Sequence, residues 1–333
     1  MEKLNKKVTF VNEPKLMIHE RDRESNEKRL ALVPQIQEFV SNHPLFKDKN
    51  NQITFFHKGV SSLVSLIESG KEKSVLKISL IYKNNSSEGK FLSEWEKVGV
   101  TVPHVIEEGL FGEHPYVLMK YIDAPSLGEK YSPEEMIDKK IFLQMGQTLR
   151  KMHNSKADGF GSIVDGKPQY PDFETWVNKY IKGSRFQGKI KFSKDNNLLS
   201  DEEHGSLDEA INILKDFVEK DPQSTYCHDD FSSGNIFATE PLTVFDPNPT
   251  LNHPYLDLGR SIVIAPNSKV EFGEADKQIL DGYFAGENFD RKALQASILL
   301  NAYMKFRYWH SVAGHQRIAK VQEFLKNTKH YMQ

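Results

Sequence analysis

Apolar positions change their spacing midway along this chain. Between residues 52 and 82, the stretches QITFFHKG, SLVSLIES and SVLKISLIY are dense in β-branched and aromatic residues, and Gly59-Val60-Ser61-Ser62 and Gly70-Lys71-Glu72-Lys73 separate them. Such runs broken by turn residues predict an antiparallel meander. SSEGKFLSEWEKVGV then predicts a short helix, and VPHVIEEGLFGEHPYVLMKYI two further strands about a turn at Gly112-Glu113-His114-Pro115. Ahead of them Leu32, Ile36, Phe39 and Val40 keep helical spacing, with Pro34 taken as the start, so a helix is expected from about Pro34 to Ser41. Three strands, a helix and two strands make a small α+β lobe.

From APSLGEKYSPEEM onward the pattern turns helical. Ser132-Pro133-Glu134-Glu135 is a capping box with proline at the first helical position, and Ile137, Ile141, Met145, Leu149 and Met152 follow as one apolar stripe. Ser206 and Glu209 repeat the box before Leu207, Ile211, Leu214 and Val218, predicting a helix that ends near Asp221-Pro222. STYCH, NIFAT and LTVFD predict short strands around the polar loop CHDDFSSGN. DRKALQASILLNAYMKFRYWHSV and QRIAKVQEFLKNTKHYM predict two amphipathic C-terminal helices. The resulting division is an N-terminal extension at 1–27, a small lobe at 28–122 and a larger, mainly helical lobe at 123–333.

Composition narrows the function. A chain of 333 residues exceeds the usual span of one core and favours two lobes. Lys and Arg number 44 against 46 Asp and Glu, so no bulk field favours nucleic acid or a membrane surface, and ligands must be recognised locally. The single cysteine, Cys227, excludes an internal disulfide framework and a cysteine-built zinc site, which fits a reducing cytoplasm. No apolar run approaches the roughly 18 residues of a membrane span. A cytoplasmic protein, monomer or dimer, is expected.

The loop from Cys227 to Asn235 carries the chemistry. Phosphoryl transfer needs phosphates and metal held in place and an attacking hydroxyl oriented by a carboxylate. In His228-Asp229-Asp230-Phe231-Ser232-Ser233-Gly234-Asn235, Asp230 suits the hydroxyl and Asn235 a magnesium ion, and Asp246 after LTVF suits the same cation. Asp229 competes with Asp230 for the base role. The register with Asn235 favours Asp230, since alternate residues of an extended backbone face opposite ways.

His228-x-Asp230-x-x-x-x-Asn235 followed by Val244-Phe245-Asp246 resembles the aminoglycoside phosphotransferase family, whose members share the protein-kinase fold and carry H-G-D-x-x-x-x-N and I-D at these places. The resemblance runs from about residue 52 over nearly all that follows. It implies an α+β, bilobal, protein-kinase-like fold and an ATP- or GTP-dependent, Mg²⁺-assisted kinase for a small-molecule hydroxyl. In Val75-Leu76-Lys77-Ile78 it implies the lysine that holds the α- and β-phosphates, with Glu88 as its helix partner. YVLMKYIDAPSL resembles the hinge, where backbone groups of Lys120 and Ile122 would meet adenine. QTLRKMH and GFGSIVDGKPQYPDFETWV resemble further segments, the second as in the hygromycin B phosphotransferases of the family. Asp257 in YLDLGR resembles the trailing structural aspartate, and His228 is expected to orient the loop.

The departures are Asp229, Pro247 after the metal aspartate, and a nucleotide loop, HKGVSSL, with one glycine. In that loop the backbone and hydroxyls of Ser61 and Ser62 would contact phosphate. Cationic acceptors of the family meet acidic side chains, for which Asp172, Glu174, Glu271 and Glu274 are the candidates. Taken singly, Lys77 reads as a strand-edge lysine, Glu88 as a solvated helix residue and Asp246 as a turn residue; their order and placement together point to the kinase. An aminoglycoside leads as acceptor, with antibiotic resistance as the implied role. Choline, homoserine, fructosamine or methylthioribose is the metabolic alternative, and a non-catalytic nucleotide-binding module the third.

Overall fold

The computed structural model describes residues 8–16, 23–57, 61–81, 88–198, 201–264 and 273–312, with backbone alone at 202–204 and 306–312. The predicted helix QRIAKVQEFLKNTKHYM and Glu271 lie outside these residues. The chain divides into two compact units, Met1–Ser93 with Pro103–Asp123, and Glu94–Val102 with Ala124–Gln333.

In the first unit β1 (Val8–Phe10), α1 (Arg23–Asn42), β2 (Asn51–Phe56), β3 (Ser62–Ser69) and β4 (Glu72–Ser79) precede α2 (Glu88–Lys97), whose last turn falls in the second unit, and β5 (Val105–Phe111) and β6 (His114–Lys120) follow. The sheet order is β1-β2-β3-β4-β6-β5. The meander is present as β2, β3 and β4, antiparallel throughout, with Gly70 at φ +66° in the last turn. Along β3, burial alternates residue by residue, so Leu63 and Ile67 face inward with Ile53, Phe55, Leu76, Ile78 and Leu118, and α1 contributes Leu32, Ile36 and Val40 to this core. Each such side chain contributes about 1.5–3 kcal/mol of apolar burial.

Two expectations need correction here. Helix α1 begins at Arg23 and contains Pro34, which lies on its exposed face, where water can satisfy the carbonyl that proline leaves unbonded. Residues 8–16 of the expected N-terminal extension belong to the sheet unit: β1 pairs in parallel with β2, and the Asn12 side chain continues the ladder, accepting from Phe55 N (2.7 Å) and donating to Phe55 O (2.9 Å). A three-residue edge strand completed by a side-chain amide leaves no periodic signal.

The second unit holds α3 (Leu127–Lys130), α4 (Pro133–Asp138), α5 (Ile141–Met152), β7 (Lys156–Ala157), β8 (Phe160–Val164), β9 (Lys167–Tyr170), α6 (Phe173–Trp176), a π-helical turn at Val177–Ile181, α7 (Ser184–Asp195) and α8 (Asp201–Lys220). Then come β10 (Ser224–Cys227), a 3-10 turn at Ser233–Asn235, β11 (Ile236–Phe237), β12 (Thr243–Val244), β13 (Thr250–Asn252), α9 (Pro254–Ile264), α10 (Glu274–Phe284) and α11 (Arg291–Val312). A sheet ordered β7-β10-β13-β8-β9 and the pair β11-β12 flank the polar loop, as expected of strands around it.

The Ser132 box forms, with Glu135 N donating to Ser132 Oγ (3.2 Å) and Ser132 N to Glu135 Oε2 (2.8 Å). The helix it opens breaks at Lys140, in the left-handed region at φ 54°, so the expected single helix is two, α4 and α5. Ser206 and Glu209 lie inside α8 rather than at its start. Helix α5 meets α10 through reciprocal glycines: a Cβ on Gly146 would strike the Ile279 carbonyl oxygen, and one on Gly282 that of Leu143. Among the described residues no helix is long and apolar enough to cross a membrane.

Candidate active site

Each unit carries one set of the expected polar residues. In the first, Lys77 on β4 meets Glu88, the opening residue of α2, with Nζ 2.6 Å from Oε2 and both side chains about nine-tenths buried. A pair so shielded is costly to break by removing one partner. Ser61 and Ser62 precede and open β3; their carbonyls accept from Leu80 N (2.9 Å) and Arg29 Nη2 (2.6 Å). Lys120 ends β6 with its side chain exposed and its N–H given to His104 O (2.9 Å), while Tyr121 N donates to Lys73 O (3.2 Å).

In the second unit, β10 runs into the loop and a buried carboxylate shapes it. Asp257, on α9, accepts from the backbone amides of His228 (2.7 Å) and Asp229 (2.8 Å) and from His153 Nε2 (3.1 Å). Burial alone would raise this carboxyl; the hydrogen bonds from the His153 ring and the His228 amide hold it below its ordinary value. His153 Nδ1 lies 2.7 Å from the Tyr283 hydroxyl, whose pKa burial pushes well up, so the hydroxyl stays protonated and is the donor. Cys227 lies close to His153 and Asp257, but burial pushes its thiol well up and Sγ donates to Asn252 O (3.4 Å); the trio is a structural knot of donors and acceptors.

His228 stacks on Trp95 at 5.6 Å between ring centroids. Burial lowers its pKa, its Nε2 bonds the Phe245 carbonyl (3.0 Å) and its Nδ1 accepts from Asp230 N (3.3 Å), so the ring is a neutral Nε2–H tautomer that ties the loop to the strand before Asp246. His253, the other histidine nearby in sequence, accepts from Tyr255 N at Nδ1 (3.2 Å) and packs against Phe217 and Tyr255; burial depresses it to about 4.

The two adjacent aspartates separate. Asp229, in the left-handed region at φ 54°, turns its Oδ2 to Asn248 Nδ2 (2.7 Å) and Arg260 Nη2 (3.5 Å); burial raises its pKa against the opposing pull of Arg260. Asp230 is the more exposed, 42% against 23% for its neighbour. Its Oδ2 and carbonyl accept from Asn235 Nδ2 (3.0 and 2.9 Å), and Lys305 Nζ lies 3.3 Å from Oδ1. Because a carboxylate only accepts, the NH₂ end of Asn235 faces Asp230 and its Oδ1 is turned the other way. Asp246, exposed and also left-handed at φ 54°, follows β12, and the Asn235 carbonyl accepts from Phe245 N (3.0 Å). An amide oxygen and a carboxylate form an all-oxygen donor set, which suits a hard cation such as Mg²⁺.

Three of the acidic candidates lie among the described residues. Asp172 caps α6 by accepting from Thr175 N (2.7 Å), which lowers its pKa. Glu174 pairs with Lys215 at the surface (3.3 Å), and Glu274 is exposed at the start of α10. Sequence reading missed Trp95, His153, Asn248, Arg260, Tyr283 and Lys305. A signal existed for the last: Ser297, Asn301 and Lys305 recur every four residues through the otherwise apolar SILLNAYMK of α11, and all three bond the α9–loop region.

The phosphotransferase enzyme family model matches residues 52–296. No curated protein sequence matches the chain. Among solved structures it is similar to a thermostable mutant of aminoglycoside phosphotransferase APH(4)-Ia in ternary complex with AMP-PNP and hygromycin B, at 13% identity over 83% of this chain and 93% of that one, TM-score 0.56. It is similar to a putative fructosamine-3-kinase from Thermobifida fusca (12% identity, 90% and 99% covered, TM-score 0.56) and to a Plasmodium vivax ethanolamine kinase (11%, 97% and 98%, TM-score 0.54). The fold is α+β, bilobal and protein-kinase-like.

Proposed function

We propose, for a chain that belongs to the phosphotransferase enzyme family, ATP-dependent transfer of the γ-phosphate to a hydroxyl of a small molecule, with Asp230 as general base. The observation that carries this is the greater exposure of the Asp230 carboxylate, held in place by Asn235 and Lys305, beside the more buried Asp229, which Asn248 and Arg260 hold. Asp230 accepts the proton of the acceptor hydroxyl as its oxygen bonds to the γ-phosphorus; the bond from that phosphorus to the bridging oxygen breaks, and the electron pair leaves with ADP. Asn235 Oδ1 and Asp246 would hold Mg²⁺, which when bound neutralises phosphate charge. Lys77, held by Glu88, takes the α- and β-phosphates, and the amides and hydroxyls of Ser61 and Ser62 add contacts to them. Lys120 and Ile122, two apart, present a carbonyl and an amide on one edge for adenine or guanine. His228 and Asp257 keep the loop in shape.

The ternary complex of a fold relative with AMP-PNP and hygromycin B supports ATP and an aminoglycoside-like acceptor, while the fructosamine and ethanolamine kinases keep a metabolic acceptor of the choline, homoserine or methylthioribose kind as the second reading. The intact set of Lys77, Asp230, Asn235 and Asp246 speaks against a non-catalytic nucleotide-binding module.

The test is Mg²⁺-dependent ADP release across amino sugars, choline, homoserine and other hydroxyl acceptors. Asp230→Asn is expected to lower kcat by about 10²–10⁴-fold with nucleotide affinity retained, and Asp229→Asn to leave much of the activity. Wild-type turnover in Asp230→Asn overturns the assignment.

A further inference from the structure

One cation meets Asp230 and a second meets its neighbour Asp229. Lys305 Nζ sits 3.3 Å from its Oδ1, and Arg260 reaches Asp229 with Nη2 (3.5 Å) and Asn301 Oδ1 with Nη1 (3.4 Å). Lys189, on α7, donates to the carbonyl of Met304 (3.1 Å), the residue before Lys305 on α11. The second unit thus brings α7, α9 and α11 together with a positive charge from each. The two loop carboxylates account for two of these charges, Asp230 for Lys305 and Asp229 for Arg260. Among the described residues Lys189 has a carbonyl as hydrogen-bond partner and no carboxylate within ion-pair distance, Asp229 acting on it from further off, and Arg260, 7% exposed, has a buried Nε with no hydrogen-bond partner.

From this placement we infer that the acceptor carries an anionic group, a carboxylate or phosphate ester, beside the hydroxyl it offers to Asp230, and that Lys189, with Arg260 and Lys305, recognises it. This rests on the phosphotransfer reading above and replaces its aminoglycoside-like acceptor with an anionic one. Burial, with Arg260, Arg185 and Lys305 nearby, drags the Lys189 ammonium down to about 8, and an anion would relieve that strain of like charges. Burial and Arg260 likewise lower Lys305. A polycationic acceptor would add to the repulsion around Lys189 and compete with Lys305 for Asp230.

The experiment varies charge on one scaffold: glucose, glucosamine, gluconate and glucose 6-phosphate, with hygromycin B as polycation, each read by Mg²⁺-dependent ADP release and by melting-temperature shift. Gluconate or glucose 6-phosphate is expected to act where glucose and glucosamine do not, and the responding one names carboxylate or phosphate. Lys189→Met should weaken the response roughly tenfold or more, Lys189→Arg should restore it, and Lys215→Met, which removes a surface charge, should leave it unchanged. Release driven by glucosamine or hygromycin B with a KM indifferent to Lys189→Met overturns the inference and leaves the phosphotransfer reading standing. Lys189-dependent melting shifts by the anions without ADP release from any acceptor keep the anion site and overturn the phosphotransfer reading. No response to either anion in the wild-type chain overturns the inference.

Discussion

Asp229 and Asp230 are neighbours that differ in burial, and Asp276 carries the contrast further in a third carboxyl. Asp276 is fully buried on α10, accepts one bond from Gly273 N (3.2 Å), and has an Oδ1 without a partner among the described residues. Burial raises its pKa from 3.8 to about 7. Between those values the unfolded chain releases a proton that the folded chain keeps, so folding stability falls as pH rises from about 4 to 7 and is level above. Asp276→Asn does not titrate. Its stability relative to wild type should therefore increase from pH 4.5 to pH 8, by up to about 3 kcal/mol, read from urea midpoints; a difference independent of pH refutes the assignment. None of this is visible in sequence, where Asp276 is one acid in GEADKQ.

At the scale of elements, α5 and α10 owe their close approach to Gly146 and Gly282. Alanine is the better helix former by about 1 kcal/mol, so propensity alone would have Gly146→Ala stabilise. The new methyl would meet the Ile279 carbonyl, which backbone holds in place, and overpacking of about 1–3 kcal/mol or more outweighs the gain. Gly188 in α7 has nothing within 4 Å of its would-be Cβ, so Gly188→Ala should stabilise by up to about 1 kcal/mol. Thermal or urea denaturation distinguishes them, and equal signs would contradict this packing. Elements with a local signature were legible: the meander, the Ser132 box, the strands around the loop. Those fixed by partners were not. The break at Lys140 and the Asn12-completed edge depend on contacts far along the chain.

Across the whole molecule, near-neutral composition hides local fields. The net charge of -2 gives no hint that Asp172, Glu174 and Glu274 sit at helix ends while Lys189, Arg260 and Lys305 converge by the loop. The order of Lys77, Glu88, Asp230, Asn235 and Asp246 was readable because motif spacing survives in sequence; which charges gather around them is a property of the fold. Nucleotide binding should appear as whole-chain stabilisation. At Mg²⁺–ATP about 100-fold above Kd the folded state gains about 2.7 kcal/mol, so melting temperature should rise in wild type and in Asp230→Asn. In Lys77→Ala the rise should shrink or vanish at the same nucleotide concentration; an undiminished rise would remove Lys77 from the nucleotide site.

Asp257 grips two successive amides with its two oxygens, and neither amide can be released without stranding the other side of a buried charge. The turn that presents Asp230 should consequently open as one unit with the core around α9, so the His228 and Asp229 amides are expected to exchange with deuterium together.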